Sequence, residues 1–328
     1  MFSLTPAPSL PDGVTDKTWV APVASRPCVA GTVDARYHII LPSDERPLAA
    51  GDFHVVSAKY TYGPAPSAGV TSSSLIVRDV RTGSVIAQLD EAGAFGTHVG
   101  LTSDTVYFIR RPDVSKMLMG VYALSLGDGS VRTLLTPDAG RDQLVMSPSG
   151  RTLAVGLLDG GTEVLDLASN AVTELRGTAG SPFFVSDSQL ITTDGTYHLY
   201  AYDLQTQQLQ WTISGIMAGY GYMTSDGTKL VLRTGYSPIL VGERADLPAE
   251  ATNPAIRVID TATGAVSVLA QWNYGDVSAY LMPDASNDQV AVIVLDGWPR
   301  ADGFPIAVLN LNTGALTQNA LVVSVPSH

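Results

Sequence analysis

The sequence predicts an all-β fold made of repeated four-stranded antiparallel sheets. The first observation is composition: among 328 residues, Asp outnumbers Glu by 25 to 6, and there are 31 Gly and 20 Pro. Asp, Gly and Pro favour turns, whereas Glu favours helices. The second observation is that apolar or alternating runs of about four to eight residues recur between turn residues, as in strands. The third is an internal repeat of about 46 residues.

Each repeat contains a strand that ends in Asp or Asn, a turn with Thr and Gly, and a further strand. Three clear copies of the turn reach Gly83, Gly264 and Gly314. With three weaker copies, the turns begin at Asp79, Ser125, Asp166, Asp203, Asp260 and Asn310. Their separations of 46, 41, 37, 57 and 50 residues are near the period of propeller blades with four strands each. The sequence therefore predicts a β-propeller.

A second turn precedes the Thr-Gly turn in each repeat. It is clearest at 147–150 and 224–227, where the turn ends in Gly and an apolar strand follows. Gly supplies the positive φ of a tight hairpin, and Asp or Asn accepts hydrogen bonds from neighbouring backbone N–H groups. Each repeat is expected to run strand, Asp-Gly turn, strand, variable loop, strand, Thr-Gly turn, strand, which is one blade.

Two segments carry a resemblance to known repeat families. The segment 147–156 is similar to the second-strand signature shared by WD-type and YVTN-type propeller repeats. The segment 201–211 resembles the docking motif of quinoprotein-like repeats, although Gln207 stands where that motif has Gly. The resemblance extends over about residues 36–319 in six units. It implies the propeller fold, and it implies that Trp211 packs between blades.

Seven blades are favoured, with six as the alternative. Further β-like stretches at 18–24, 26–33 and 321–325 lie outside the six units. Strands from both termini are therefore expected to close the propeller in one shared blade, which removes an open sheet edge. In the alternative, 37–41 and 54–59 are the first two strands of the first unit. Residues 1–16 are expected to be an N-terminal linker, and 17–328 a single propeller domain.

Long connections are expected on one face of the propeller, which we call the long-loop face. They follow second strands at 61–73, 111–120, 235–254 and 297–304, and fourth strands at 90–97 and 271–276. The stretch 42–52 is the exception, since it is expected on the opposite face. Loops on a rigid scaffold commonly carry binding function, so this face is the candidate site.

Loop aromatics and one arginine identify candidate partner-binding residues on the long-loop face. Tyr and Trp bury a large area while keeping a polar group, and together with Arg they are common interface anchors. The candidates are Tyr236, Trp272, Tyr274, Trp298 and Arg300. The favoured function is non-catalytic binding of a protein or a glycan, because aromatic faces suit both partners.

An enzyme is the less favoured alternative. It would be a propeller hydrolase or lactonase, an activity that the resemblance to YVTN-type repeats also implies as a possibility. Its candidate residues, at the mouth of the channel, are His98, Asp276 and Asp302. The sequence has no Gly-x-Ser-x-Gly string and no closely spaced pair of histidines, which are signatures of hydrolase elbows and local metal sites. No metal and no cofactor, quinone included, are expected.

Net charge, hydropathy and a Pro-rich segment indicate which classes of partner and which cellular compartment to expect. The net charge of −12 disfavours nucleic acid and anionic membranes. No apolar run reaches the about 18 residues of a membrane span, so direct membrane insertion is not expected. The Pro-rich segment 5–13 is typical of a stiff linker that follows a removed signal or joins an anchor to a domain. This favours an extracytoplasmic location, periplasmic or at the cell surface, over the cytoplasm.

Overall fold

The described part of the chain contains β-strands and no helix. A computed structural model describes residues 19–22, 38–41, 45–50, 53–62, 70–79, 82–91, 95–111, 118–158, 160–178, 180–194, 198–216, 218–234, 255–271, 278–283, 289–295, 305–313 and 315–320. The chain divides into two compact units, one containing Arg36–Asp187 and the other containing Ser188–His328. The predicted linker at 1–16 lies outside the described residues.

The first strands of the chain form one two-stranded sheet and three four-stranded sheets. The pair is β1 (Trp19–Pro22) with β2 (His38–Leu41). The four-stranded sheets are β3 (Glu45–Ala50), β4 (His54–Tyr62), β5 (Val70–Asp79) and β6 (Val85–Glu91); β7 (Phe95–Leu101), β8 (Thr105–Arg110), β9 (Leu118–Ser125) and β10 (Val131–Ala139); and β11 (Arg141–Met146), β12 (Thr152–Leu157), β13 (Thr162–Asp166) and β14 (Ala171–Leu175).

Three further four-stranded sheets follow. They are β15 (Ser181–Val185), β16 (Gln189–Thr193), β17 (His198–Asp203) and β18 (Leu209–Ser214); β19 (Ala218–Met223), β20 (Lys229–Thr234), β21 (Ala255–Asp260) and β22 (Val266–Gln271); and β23 (Ser278–Pro283), β24 (Gln289–Leu295), β25 (Pro305–Asn310) and β26 (Leu316–Ala320). Every four-stranded sheet keeps its strands in chain order. This is the predicted blade topology.

The strand bounds correct the prediction for the start of the first blade. Its first strand is Glu45–Ala50, which pairs with β4, whereas His38–Leu41 pairs with Trp19–Pro22. The stretch 42–52 is therefore largely strand rather than a long connection. The described residues contain six four-stranded sheets and one two-stranded sheet. A seventh blade closed by both termini stays a prediction, since 321–328 lies outside the described residues.

The middle strands are apolar without alternation because both faces of a sheet are buried. On β8, Val106 and Phe108 pack with residues of the first blade, including Val56 and Leu75. Their neighbours Tyr107 and Ile109 point to the other face and pack with Leu144, Leu153 and Val155 of the third blade. Successive side chains of a strand point to opposite faces, so one strand contributes to two clusters. The core of the unit that contains Arg36–Asp187 therefore lies between successive sheets.

The Thr-Gly turns form as the repeat predicts. In the first copy, Asp79 accepts hydrogen bonds from the backbone N–H and the hydroxyl of Thr82, at 2.9 and 3.2 Å. The Thr82 hydroxyl in turn accepts from the N–H of Ser84. Gly83 then adopts a φ of +71°, and Gly264 has the same value in the fifth copy. These aspartates are turn formers, as expected from their spacing.

Gln207 adopts the conformation of the glycine that it replaces. Its φ is +60°, and Asn170 at the matching turn of the third blade has a φ of +56°. A residue other than Gly is uncommon in this left-handed region, although Asn tolerates it. The sequence therefore differs from the quinoprotein-like motif at Gln207, but the turn keeps the backbone conformation that the motif's Gly would have.

Trp211 docks on the next blade, as the resemblance implies. Its indole Nε1 donates a hydrogen bond of 2.8 Å to the carbonyl oxygen of Thr261, in the turn between β21 and β22. A Cβ added to Gly264 would lie 2.9 Å from Cγ of Trp211, so the ring packs directly on the glycine of that turn. The predicted packing role of Trp211 is confirmed.

Candidate functional site

Connection lengths differ between the two ends of the sheets. The connections from second to third strands cover 63–69, 111–117, 235–254 and 296–304 in four blades, but only 158–161 and 194–197 in the third and fourth blades. The connections from third to fourth strands are all short: 80–84, 126–130, 167–170, 204–208, 261–265 and 311–315. The predicted asymmetry in length is therefore present. The expected connection at 90–97 is wrong, because β6 and β7 leave only 92–94 between them.

The residues predicted for the site lie outside the part of the chain for which side chains are described. Tyr236, Trp272, Tyr274, Trp298 and Arg300 fall in connections that the structure does not describe. The same holds for Asp276 and Asp302 of the alternative enzyme site. His98 lies in β7, the first strand of its sheet, as expected, and only its backbone is described. Both sets of residues stay predictions.

A depression opens beside the short connection of the third blade. Its volume is about 240 Å³, and its lining includes Gln143, Leu157, Leu158, Gly160 and Ser181. This is below the about 300–1,000 Å³ of sites that enclose a small molecule. Leu158 is 69% exposed, the largest value among the exposed large hydrophobic residues described. Leu158 therefore presents an apolar side chain to solvent beside the depression.

Small residues keep this depression open. Gly156 and Gly180 complete its lining. A Cβ on Gly156 would lie 2.8 Å from Cδ of Pro182, so β12 and β15 approach closely here. The depression is therefore formed where the second strand of one blade meets the first strand of the next, at the end of the sheet that carries the second-to-third connection.

An ion pair between the buried Arg141 and the partly buried Glu163 fixes the strands at this end of the third blade. Arg141 is 6% exposed and donates to both carboxylate oxygens of Glu163, at 2.5 and 2.8 Å. It also donates to the carbonyl oxygens of Met119 and Thr136. Because Arg141 is the register partner of Leu157, these bonds hold the backbone beside the depression. The charges of Arg141 and Glu163 are thus used within the protein.

Asp194 and His198 are hydrogen-bonded to each other at the short connection of the fourth blade. Nδ1 of His198 lies 2.6 Å from Oδ2 of Asp194, and both side chains are partly exposed. The backbone N–H of His198 also donates to Oδ1 of Asp194, at 3.2 Å. Asp194 therefore closes the hairpin and orients the imidazole. The signal in the sequence is an Asp four residues before a His across a Gly-containing turn, and the sequence reasoning did not use it.

The opposite ends of the sheets carry acidic turn residues. Hydrogen bonds from the backbone N–H and hydroxyl of Thr206 lower the pKa of Asp203, and the hydroxyl and N–H of Thr263 lower the pKa of Asp260. The side-chain hydroxyl of Ser125 is the largest cause that lowers the pKa of Asp128, to about 2. Because these carboxylates accept bonds from their own turns, their geometry is that of structural turns.

The described ranges contain no group of three or more His, Cys, Asp or Glu side chains that could hold a metal ion. No helix long and apolar enough to cross a membrane occurs among the same residues.

Comparison with known proteins shows the fold. No protein-family model matches the chain, and no curated protein matches it. The β-propeller domain of the Trilobed protease from Pyrococcus furiosus is similar in structure, with a TM-score of 0.53 at 10% identity, over 84% of this chain and 82% of that one.

Two further solved structures are similar at lower scores. BamB from Moraxella catarrhalis has a TM-score of 0.47 at 14% identity, over 93% of this chain and 86% of that one. TolB from Acinetobacter baumannii has a TM-score of 0.45 at 15% identity, over 81% of this chain. The match covers only 63% of the TolB chain. At such identities a likeness speaks for fold alone. With the six four-stranded sheets, the likeness to the Trilobed protease domain shows that the chain has the all-β propeller fold.

Proposed function

We propose that this propeller is a non-catalytic binding protein that engages a protein partner through its long-loop face. The observation that carries the proposal is the difference in connection lengths: 235–254 joins β20 to β21, whereas the third-to-fourth turn of the same sheet is 261–265. Binding segments are commonly placed on such loops of a rigid scaffold.

The residues of the long connections suit a protein partner. Tyr236, Tyr274 and Trp298 are aromatic, and Arg300 supplies a planar charged group. These are the residue types enriched among the energetically dominant contacts of protein interfaces. The exposed Leu158 adds an aliphatic group at the same end of the third blade, and an aliphatic group suits a protein better than a sugar.

An extracytoplasmic location is part of the same proposal. Its support is the Pro-rich segment 5–13, which is typical of a stiff spacer beside a domain. The net charge of −12 further supports a partner that is neither nucleic acid nor an anionic membrane surface.

Site-specific photo-crosslinking in the native cell tests this function. A photoreactive amino acid is placed at Tyr274 or Trp298, and in the control variants at Thr82 or Thr263, which are exposed in short turns at the other end of their sheets. We expect a defined protein adduct from the two loop positions and none from the two turn positions. Adducts from the turn positions alone, or from neither set, would contradict the use of the long-loop face.

A further inference from the structure

We infer that the depression lined by Gln143, Leu158 and Ser181 binds an extended, uncharged peptide segment with an aliphatic side chain. This inference rests on the proposed function, because it names the chemistry of part of the partner. The depression and its lining lie within the unit that contains Arg36–Asp187, so a single compact unit supplies the whole site.

The apolar part of the depression selects an aliphatic group. Leu157 and Leu158 supply its side-chain surface, and Leu158 is 69% exposed. Water leaves this surface only when another apolar group covers it, which is the favourable step in the binding of an aliphatic side chain. The volume of about 240 Å³ is large enough for a side chain and smaller than that of sites that enclose a drug-sized molecule.

The polar part of the depression matches a peptide group. Gln143 offers a carboxamide with donors and an acceptor, and Ser181 offers a hydroxyl. Neither side chain is hydrogen-bonded to another of the described residues, in contrast to nearby Arg141, which binds Glu163. A carboxamide pairs with both the N–H and the C=O of a peptide backbone, which suits an extended segment better than an ion.

The described lining residues also favour this occupant over other ligand classes. None of the lining residues that the structure describes is charged, so these residues provide no counter-charge for a phosphate, a carboxylate or a basic side chain. The described lining also contains no aromatic residue, whereas a sugar ring would need a flat aromatic face. An uncharged aliphatic segment is complementary to each of these described lining groups.

Titration of the full chain with defined peptides tests the inference. The probes are two short synthetic peptides, acetylated and amidated, with a Ser/Ala background and either Leu or Asp at the centre; maltotriose is the sugar control. Binding is followed by the NMR signals of the Leu157 methyl groups and of the Gln143 carboxamide. We expect saturable shifts with the Leu peptide, at least about tenfold weaker binding of the Asp peptide, and no shift with maltotriose.

Matched variants make the result specific to the depression. Leu158→Ser should weaken the Leu peptide about tenfold or more, while Val172→Ser, at a side chain that is 46% exposed on β14, should leave its affinity unchanged. Both residues are exposed, so both variants should keep the melting temperature of the native protein. The inference is overturned if the Leu peptide gives no shift, if Leu and Asp peptides bind equally, or if both variants bind alike.

The two proposals fail in different ways. If crosslinks form from Tyr274 or Trp298 but the Leu peptide does not bind at the depression, the peptide inference is wrong and the proposed function stands. If the peptide binds as expected but the loop positions give no adduct, the long-loop face is not the partner site.

Discussion

The indole Nε1 of Trp211 and the side-chain Nε2 of Gln189 both donate hydrogen bonds to the carbonyl oxygen of Thr261, each at 2.8 Å. Two strands of the fourth blade, β18 and β16, are thus joined to the same turn of the fifth blade. Because Gln189 continues to bind the oxygen when Trp211 is removed, the loss of Trp211 would not leave a buried acceptor without a partner. What Trp211 contributes is then mainly the packing of its ring on Gly264.

Replacement of Trp211 should therefore separate packing from hydrogen bonding. Trp211→Phe retains an aromatic ring and loses one donor, so we expect a loss of about 1 kcal/mol in the free energy of unfolding. Trp211→Ala removes the ring and should cost about 3 kcal/mol. Urea unfolding followed by circular dichroism measures both, with Leu209→Ala as the control, because Leu209 is 52% exposed on the same strand. Equal effects of Trp211→Ala and Leu209→Ala would contradict the packing role.

Two glycines with the same backbone angle should differ in their tolerance of alanine. Gly83 and Gly264 both have a φ of +71°, but an added Cβ meets nothing within 4 Å at Gly83 and lies 2.9 Å from Trp211 at Gly264. Gly83→Ala should cost about 1 kcal/mol from the left-handed backbone alone. Gly264→Ala should cost more, since the ring of Trp211 must also move. Differential scanning calorimetry of the two variants decides this, and a smaller loss at Gly264 would be evidence against the contact.

Acid should destabilise the protein through its turn aspartates. Hydrogen bonds within the turns lower the pKa of Asp166, Asp203 and Asp260 below the ordinary value of an aspartate. Their contribution to stability is present above that value and is lost as the pH falls through the lower pKa values of the folded state. We therefore expect the urea concentration at the unfolding midpoint to decrease as the pH is lowered below about 4.

A variant identifies these carboxylates as the source of the acid effect. Asn keeps the side-chain oxygen that accepts the bonds but does not titrate, so Asp203→Asn combined with Asp260→Asn should flatten the dependence of the midpoint on pH in the acid range. Near neutral pH the urea midpoint of the variant and that of the native protein should change with pH in the same way. An unchanged slope in acid would assign the effect to other groups.

The turns were predictable because their chemistry is local. The Asp, Thr and Gly that form one turn lie within five residues of one another, and the same bonds recur at Asp79 and Asp260. The first strand of the first blade was missed because Glu45–Ala50 contains Pro47 and two charged residues, which hide a strand pattern. Its side chains become compatible with a sheet only in the fold, where Glu45 binds Arg78 and Ser57.

The depression could not be predicted because its parts are distant and ordinary in the sequence. Gln143, Gly156 and Ser181 come from three strands and carry no recognisable motif. The docking of Trp211, in contrast, was predictable, since the motif that contains it specifies one contact between neighbouring blades.

The burial of both faces of β8 has a consequence for how the strands find their alignment. When Val106 and Phe108 are buried on one side, and Tyr107 and Ile109 on the other, a slip by one residue exchanges two equally apolar sets. Hydrophobicity then offers little resistance to misalignment. The geometry of the short hairpin turns, such as 102–104 before β8, must supply that resistance. A deletion of one residue in a turn such as 79–83 would therefore shift a whole strand, whereas 235–254 can gain or lose residues without shifting β20 against β21.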